Sequence, residues 1–188
     1  MVIKIIEGEK VYFYEKVTTT MEVAKQLINN NETGIIVAKT QISGRGRYGR
    51  KWISSEGGLY LSWVIDKKNK ILDIMRISAL SIIKTLENFG IKNCKIKLPN
   101  DIIIKDKKIS GILLEKIGNK LILGIGINLN NEGEKIGEYA ISFKDIKKQE
   151  IKIESFLVSF IKEFKSIFIH YYINPSIYLK KWSELLTK

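Results

Sequence analysis

Histidine and cysteine each occur once in the 188 residues, as His170 and Cys94, and proline only twice. A lone cysteine excludes a disulfide framework and a cysteine-based zinc site. The histidine sits in a helix-like Ile-His-Tyr-Tyr run, so no Ser/His/Asp or Cys/His set can be assembled, and no protein-held metal is expected. No apolar run is long enough to cross a bilayer. The opening Met1-Val2-Ile3-Lys4-Ile5-Ile6-Glu7 is too short and too charged for a secretory signal. These absences lead to two expectations, a cytoplasmic location and no membrane partner. Internal repeats, low-complexity tracts and Pro- or Ser-rich linkers are also missing, so one domain over residues 1–188 is expected.

Acid is scarce too. Against 32 Lys and Arg stand 20 Asp and Glu, a formal net charge of +12. That excess fits either a nucleic-acid partner or a lysine-rich solvated surface. The lysines are spread along the chain, with pairs at Lys67-Lys68 and Lys147-Lys148, which favours the solvated surface. Apolar residues, at 45%, are ordinary for a globular protein and too many for disorder.

Patterning predicts short strands over residues 2–6 and 11–14 around a Glu-Gly turn. Thr18-Thr19-Thr20 supplies hydroxyls for a helix start, and Met21, Ala24, Leu27 and Ile28 make one apolar face ending at Asn29-Asn30-Asn31. Strands are predicted over 34–39, 59–65, 94–98, 101–104, 108–117 and 120–128, with turns at Asp106-Lys107 and Gly118-Asn119. Helices are predicted over 72–89, stopped by Gly90, and over 154–172 and 175–186, while 130–138 reads as a polar connection. Clustered strands with consecutive hairpins argue for an α+β fold: a mixed, largely antiparallel central sheet flanked by helices, these lying on one face.

The most informative segment is Gly44-Arg45-Gly46-Arg47-Tyr48-Gly49-Arg50-Lys51-Trp52, led in by Thr40-Gln41. It has no apolar period, and its like charges repel unless an anion sits among them. Arginine offers a planar fork for phosphate or carboxylate oxygens, and Trp52 offers a flat face. A mobile loop that orders around a small nucleotide-like anion is expected; the competing reading is a basic hairpin tip that grazes RNA. Further on, Pro99 interrupts a strand at Lys97-Leu98-Pro99-Asn100-Asp101 and exposes Lys97, Asn100 and Asp101 together. Lys108 stands at the mouth of a strand that turns apolar after Gly111, where a glycine lets a ligand or another backbone approach. Gly124-Ile125-Gly126-Ile127-Asn128 alternates small and branched residues on a strand. It is no dinucleotide fingerprint, because no helix opens after it, but one face is left bare for a flat ligand.

In this order and spacing, these segments resemble the catalytic domain of biotin protein ligases. The family pattern is a Ser-Thr-Asn-like triplet, then G-R-G-R-x-G-R-x-W, K-W-P-N-D, K-x-x-G-I-L and G-I-G-I-N. This chain offers Thr19-Thr20-Met21, Gly44 to Trp52, Lys97 to Asp101, Lys108 to Leu113 and Gly124 to Asn128. The resemblance implies the fold shared with class II aminoacyl-tRNA synthetases. It also implies a ligase that activates biotin with ATP and Mg²⁺ to biotinyl-5′-AMP and passes it to a lysine of biotin carboxyl carrier protein. Thr19, Thr20, Met21, Gln41, Arg45, Gly46, Arg47, Lys108 and Gly111 would then bind biotin. Arg47, Arg50, Trp52, Lys97, Asn100 and Asn128 would bind ATP and the adenylate, with Trp52 beside adenine. Arg45, Lys108 and Asp101 would be catalytic, Asp101 lying by the incoming amine.

Two residues depart from the family pattern. Leu98 replaces a tryptophan expected to pack beneath the ATP site, and Met21 replaces an asparagine. The family's small C-terminal β-barrel and the DNA-binding domain of some members are not expected here, so no DNA partner is expected. A homodimer through a sheet edge near residues 108–128 is a further expectation. The competing functions are a lipoate- or octanoate-type ligase or transferase of the same superfamily and, from another class, a basic nucleic-acid-binding module.

Overall fold

The computed structural model describes residues 1–66 and 70–187; Lys67, Lys68, Asn69 and Lys188 lie outside the described residues. An eight-stranded sheet runs in the order β1-β2-β3-β4-β8-β7-β6-β5. The strands are β1 (Val2–Ile6), β2 (Glu9–Val17), β3 (Gly34–Gln41), β4 (Leu59–Asp66), β5 (Lys95–Lys97), β6 (Asp101–Ile104), β7 (Lys107–Ile117) and β8 (Lys120–Ile127). The neighbours β2 and β3 are parallel, and the other pairs are antiparallel. Helix α1 (Thr20–Asn29) makes the crossover that a parallel pair requires. It starts where Thr19 Oγ1 accepts from the Glu22 amide at 3.0 Å, a side-chain N-cap.

The central strands are apolar on both faces because both faces are covered. Leu59, Leu61 and Trp63 of β4 and Leu121, Leu123 and Ile125 of β8 face the larger core, under α2 (Ile71–Asn88) and α5 (Ile153–Ile173). Val64 and Ile122 point the other way, onto Met21, Ala24 and Leu27 of α1. The helices therefore do not all lie on one face, contrary to the expectation from sequence: the apolar face of α1 is legible in the chain, but its packing on Val64 and Ile122 puts it on the opposite side of the sheet, the side that carries the site. Phe160 of α5 is 0% exposed. Phe160→Ala should cost about 3–5 kcal/mol and lower the thermal midpoint by roughly 10 °C in calorimetry.

Four other expectations shift. Segment 108–128 is interior, since β8 lies between β4 and β7, so it offers no edge for a dimer. The edges are β1, whose Val2, Ile3 and Ile5 are exposed, and β5, bridged by Leu186 next to Thr187. The β6–β7 turn is Lys105-Asp106, both with positive φ, and Lys107 already belongs to the ladder. Strand β2 runs to Val17 because Lys16 and Val17 pair with Thr40 and Gln41, pairing that carries the strand through the charged Glu15 and Lys16. The stretch after β8 holds α3 (Gly133–Ile136) and α4 (Phe143–Lys147) before α5; α6 (Pro175–Leu185) closes the fold. Helix α4 carries a capping box in which Ser142 and Asp145 cap each other's amides. Among the described residues no helix is long and apolar enough to cross a membrane.

One irregularity positions the chemistry. Ile102 pairs with Ser110 but Ile103 pairs with Lys108, so Ile109 is an extra residue, a β-bulge. Asp101 pairs with Gly111, and the bulge brings Lys108 onto the same face as both.

Candidate active site

On the α1 side of the sheet, glycines form a floor. Gly111 of β7 pairs directly with Gly126 of β8, and Gly124 pairs with Ser62 of β4. A Cβ on Gly111 would lie 2.9 Å from Cζ3 of Trp52, one on Gly124 2.7 Å from Sδ of Met21, and one on Gly126 inside the Trp52 indole. The bare strip anticipated from sequence thus takes an indole at one end and a thioether at the other.

The glycine-arginine segment is a tight hairpin. The Trp52 amide donates to Gly44 O at 2.9 Å, Gly46 donates to Arg50 O at 2.6 Å, and Arg45 bridges Lys51. A 3₁₀ turn over Arg47–Gly49 forms the tip, with Tyr48 at φ 56° and Gly49 at φ 73°. The far neck is fixed by Tyr60, whose hydroxyl donates to Ser55 O at 2.6 Å and accepts from Asn131 Nδ2 at 2.8 Å. Burial pushes that phenol up to about 12, so it stays a neutral donor at any physiological pH.

Three cations of the site, Arg45, Arg47 and Lys108, are already engaged. Arg45 Nη2 lies 2.7 Å from Glu22 Oε1, and Lys25 joins Glu22 at 3.6 Å to Glu115 at 2.9 Å. Arg47 lies over the Tyr48 ring, 5.0 Å from its centroid. Lys108 Nζ is 2.7 Å from Asp101 Oδ1 and 4.9 Å from the Trp52 ring centroid. Trp52 Nε1 is buried without a hydrogen-bond partner among the described residues. Asp101 Oδ1 likewise has no aligned hydrogen bond, so its contact with Lys108 is an ion pair.

At the other end lies a buried polar relay. Ser62 Oγ donates to Thr20 Oγ1 at 2.8 Å. Gln41 Oε1 accepts from Thr20 N at 2.8 Å and from Thr20 Oγ1 at 3.2 Å. Gln41 Nε2 donates to Ser54 Oγ at 2.8 Å, and Ser54 donates to Trp52 O at 3.2 Å.

Between these ends is a cavity of about 150 Å³. Thr20, Met21, Gln41, Arg45, Gly46, Arg47, Arg50, Trp52, Asn100, Asp101, Lys108 and Gly111 all line it, so most residues singled out from sequence converge. Asn128 lines an adjoining cavity of about 260 Å³, which shares Lys51, Trp52 and Lys108 with the first and adds Ile136, Tyr139 and Ala140. Asn100 Nδ2 donates to Ile112 O at 2.7 Å, holding the corner before Asp101. Two residues stand apart. Thr19 is fully buried as the helix cap, and Lys97 is exposed outside both cavities, although it pairs across strands with Asp101. Leu98 is 60% exposed, so it packs beneath nothing. Ser54, Ser62, Tyr60 and Asn131 escaped the sequence reading; serines and tyrosines in an apolar strand carry no signal until pairing puts them under the site. Among the described residues no group of three His, Cys, Asp or Glu could hold a metal ion.

The chain is 29% identical over 184 residues to the bifunctional ligase/repressor BirA of Bacillus subtilis, covering 88% of this chain and 57% of that protein. It is 28% identical over 122 residues to the biotin–[acetyl-CoA-carboxylase] ligase of Paracoccus denitrificans, covering 60% of this chain and 51% of that one. The chain therefore spans little more than half the length of these curated relatives. In structure it is similar to biotin protein ligase from Aquifex aeolicus in complex with biotin and ATP, with a TM-score of 0.77, 32% identity, and coverage of 86% of this chain and 71% of that chain. The Leishmania major biotin protein ligase with biotinyl-5-AMP shares the fold at a TM-score of 0.80, 23% identity, and coverage of 94% of this chain and 81% of that chain. Residues 13–131 match the Biotin/lipoate A/B protein ligase family, and on that match the chain belongs to this family.

Proposed function

We propose that the chain activates biotin with ATP to biotinyl-5′-AMP and passes the biotinyl group to a lysine of biotin carboxyl carrier protein. The observation that carries this reading is the polarity of the cavity's two ends. At one end Gln41 has a second Nε2–H without a protein partner among the described residues, and Thr20 Oγ1 keeps a lone pair. A donor beside an acceptor complements a cyclic urea, which has both. The dithiolane of lipoate has neither and would leave the buried polar groups unmatched, at a cost of about 1–3 kcal/mol each. At the other end Arg45, Arg47, Arg50 and Lys108 line the same cavity, the complement of a carboxylate and a phosphate.

Joining a carboxylate to ATP brings two anions together. At 4 Å each charge pair costs about 4 kcal/mol at an effective dielectric near 20. Arg45, Arg47 and Lys108 offset that repulsion as the biotin carboxylate oxygen bonds to the α-phosphorus and pyrophosphate leaves. Trp52 and Asn128, with Ile136 and Tyr139, offer the adjoining cavity to the base and ribose. Among the described residues no group of three His, Cys, Asp or Glu offers a cation site, and Mg²⁺ would enter as part of the nucleotide substrate, held by its phosphates. In the second step a lysine amine attacks the acyl carbon, loses a proton, and AMP leaves. Asp101, beside Lys108 at the lip, is placed to orient that amine. A carboxylate is a weak base for an ammonium of pKa near 10.4, so orientation is its larger share.

Exchange of labelled pyrophosphate into ATP tests the reading. Exchange should require biotin, and lipoate should not replace it; no biotin-dependent exchange would end the proposal. Asp101→Asn should slow transfer to a carrier domain at least tenfold more than it slows exchange.

A further inference from the structure

Neither Ser54 nor Ser62 carries a charge or lines the cavity wall, yet together they close the relay at the head-group end. We infer that Ser62 and Ser54 are positioning residues that fix the donor–acceptor sense of the head-group site and thereby make it select a cyclic urea over an apolar ring. The inference rests on the biotin-activating reading.

A hydroxyl has one hydrogen, and the relay spends each one in turn. Ser62, 0% exposed on the central strand β4, gives its hydrogen to Thr20 Oγ1. Thr20 must then turn its own hydrogen to Gln41 Oε1, where its backbone amide also points. With its oxygen held at the start of α1, the Gln41 carboxamide presents its nitrogen to Ser54. Ser54 can accept there because its own hydrogen goes to the Trp52 carbonyl. Every direction from β4 to the loop is thus determined, and none of these groups is left to choose. Without Ser62 the Thr20 hydroxyl can rotate toward the ligand as a donor. Without Ser54 the Gln41 nitrogen loses its anchor, and the carboxamide can turn its oxygen toward the ligand. Either change sets donor against donor, or acceptor against acceptor, at a urea. A dithiolane is indifferent to both.

Ser54 also sits at the neck of the arginine hairpin. A Cβ on Gly44 would collide with Ser54 Oγ and with the Trp52 carbonyl. The hydroxyl that orients Gln41 therefore also sets how close the two sides of the neck approach.

The test uses the whole chain carrying Ser62→Ala, Ser54→Ala, or Ser62→Cys, the last keeping size with a weaker donor. Pyrophosphate exchange gives KM for biotin and for ATP, and lipoate, as a competitor of biotin, gives an inhibition constant. The KM for biotin should rise about tenfold in each alanine variant, the range of one or two lost neutral hydrogen bonds. Both kcat and KM for ATP should stay within about twofold, as should the lipoate inhibition constant, and Ser62→Cys should fall between wild type and Ser62→Ala. Unchanged KM for biotin would overturn the inference. So would parallel weakening of biotin, ATP and lipoate, since that is what a merely structural serine would give. Absence of exchange in the unmodified chain would instead sink the activity itself.

Discussion

Lys108→Ala should lower biotin-dependent pyrophosphate exchange by about 10²–10³-fold, the loss seen when one group stabilising transition-state charge is removed. Lys108 borders both cavities, as Lys51 does, and its ion pair with Asp101 holds its ammonium where the carboxylate, the α-phosphate and the incoming amine would meet. Its removal also strands the Asp101 carboxylate, only 28% exposed, beside an anionic reactant. The loss should therefore appear mainly in kcat and exceed that of Arg47→Ala, because Arg47 rests on Tyr48 at the hairpin tip. Lys108→Arg should recover little. A guanidinium is broader than an ammonium, and the space between Gly111 and the indole is filled, with Lys108 Nζ only 3.1 Å from a Cβ built on Gly111. Stopped exchange assays at saturating biotin and ATP measure all three; an alanine variant within tenfold of wild type would remove Lys108 from the chemistry.

Gly126→Val should abolish adenylate formation at least a hundredfold while leaving the fold intact. Valine suits a strand better than glycine, so the backbone gains. Even the first carbon of the new side chain falls within the Trp52 indole. The indole must leave the floor, and with it goes the wall common to the two cavities. Displacements of about 1 Å in a positioned reactant cost roughly 10² in rate. The discriminating measurement pairs exchange with thermal unfolding: activity should vanish with the midpoint unmoved or raised. A variant that keeps activity would show that the indole's seat on the glycines is incidental.

Much of this was legible in the chain because the chemistry is carried by residues that are costly to place anywhere else. Alternating glycine and arginine, an isolated proline between strands, and glycines every second residue of a strand each contradict ordinary packing, and each marks the cavity. What stayed hidden depends on pairing. Ser62 reads as one polar position in an apolar strand, and only α1 arriving on that face gives its hydroxyl a partner. Segment 108–128 looks like a free hairpin until β4 pairs along β8. Lys97 looked like part of the site because it precedes Pro99, yet the strand ends with it outside both cavities. Arg45 appeared to need an external anion, and Glu22, in the first turn of α1, supplies one from within.

The extra residue at Ile109 makes the spacing between Lys108 and Gly111 a matter of parity. Residues three apart on a regular strand look in opposite directions, so a lysine followed by two residues and a glycine is the wrong interval for one surface, unless a single position drops out of step. Lengthening the tip at 118–119 leaves that count untouched. Drawing Ile109 into a regular ladder with the residue count unchanged would swing the ammonium through the sheet toward the hydrocarbon side, whereas excising Ile109 would leave Lys108 and Gly111 two apart and on one face.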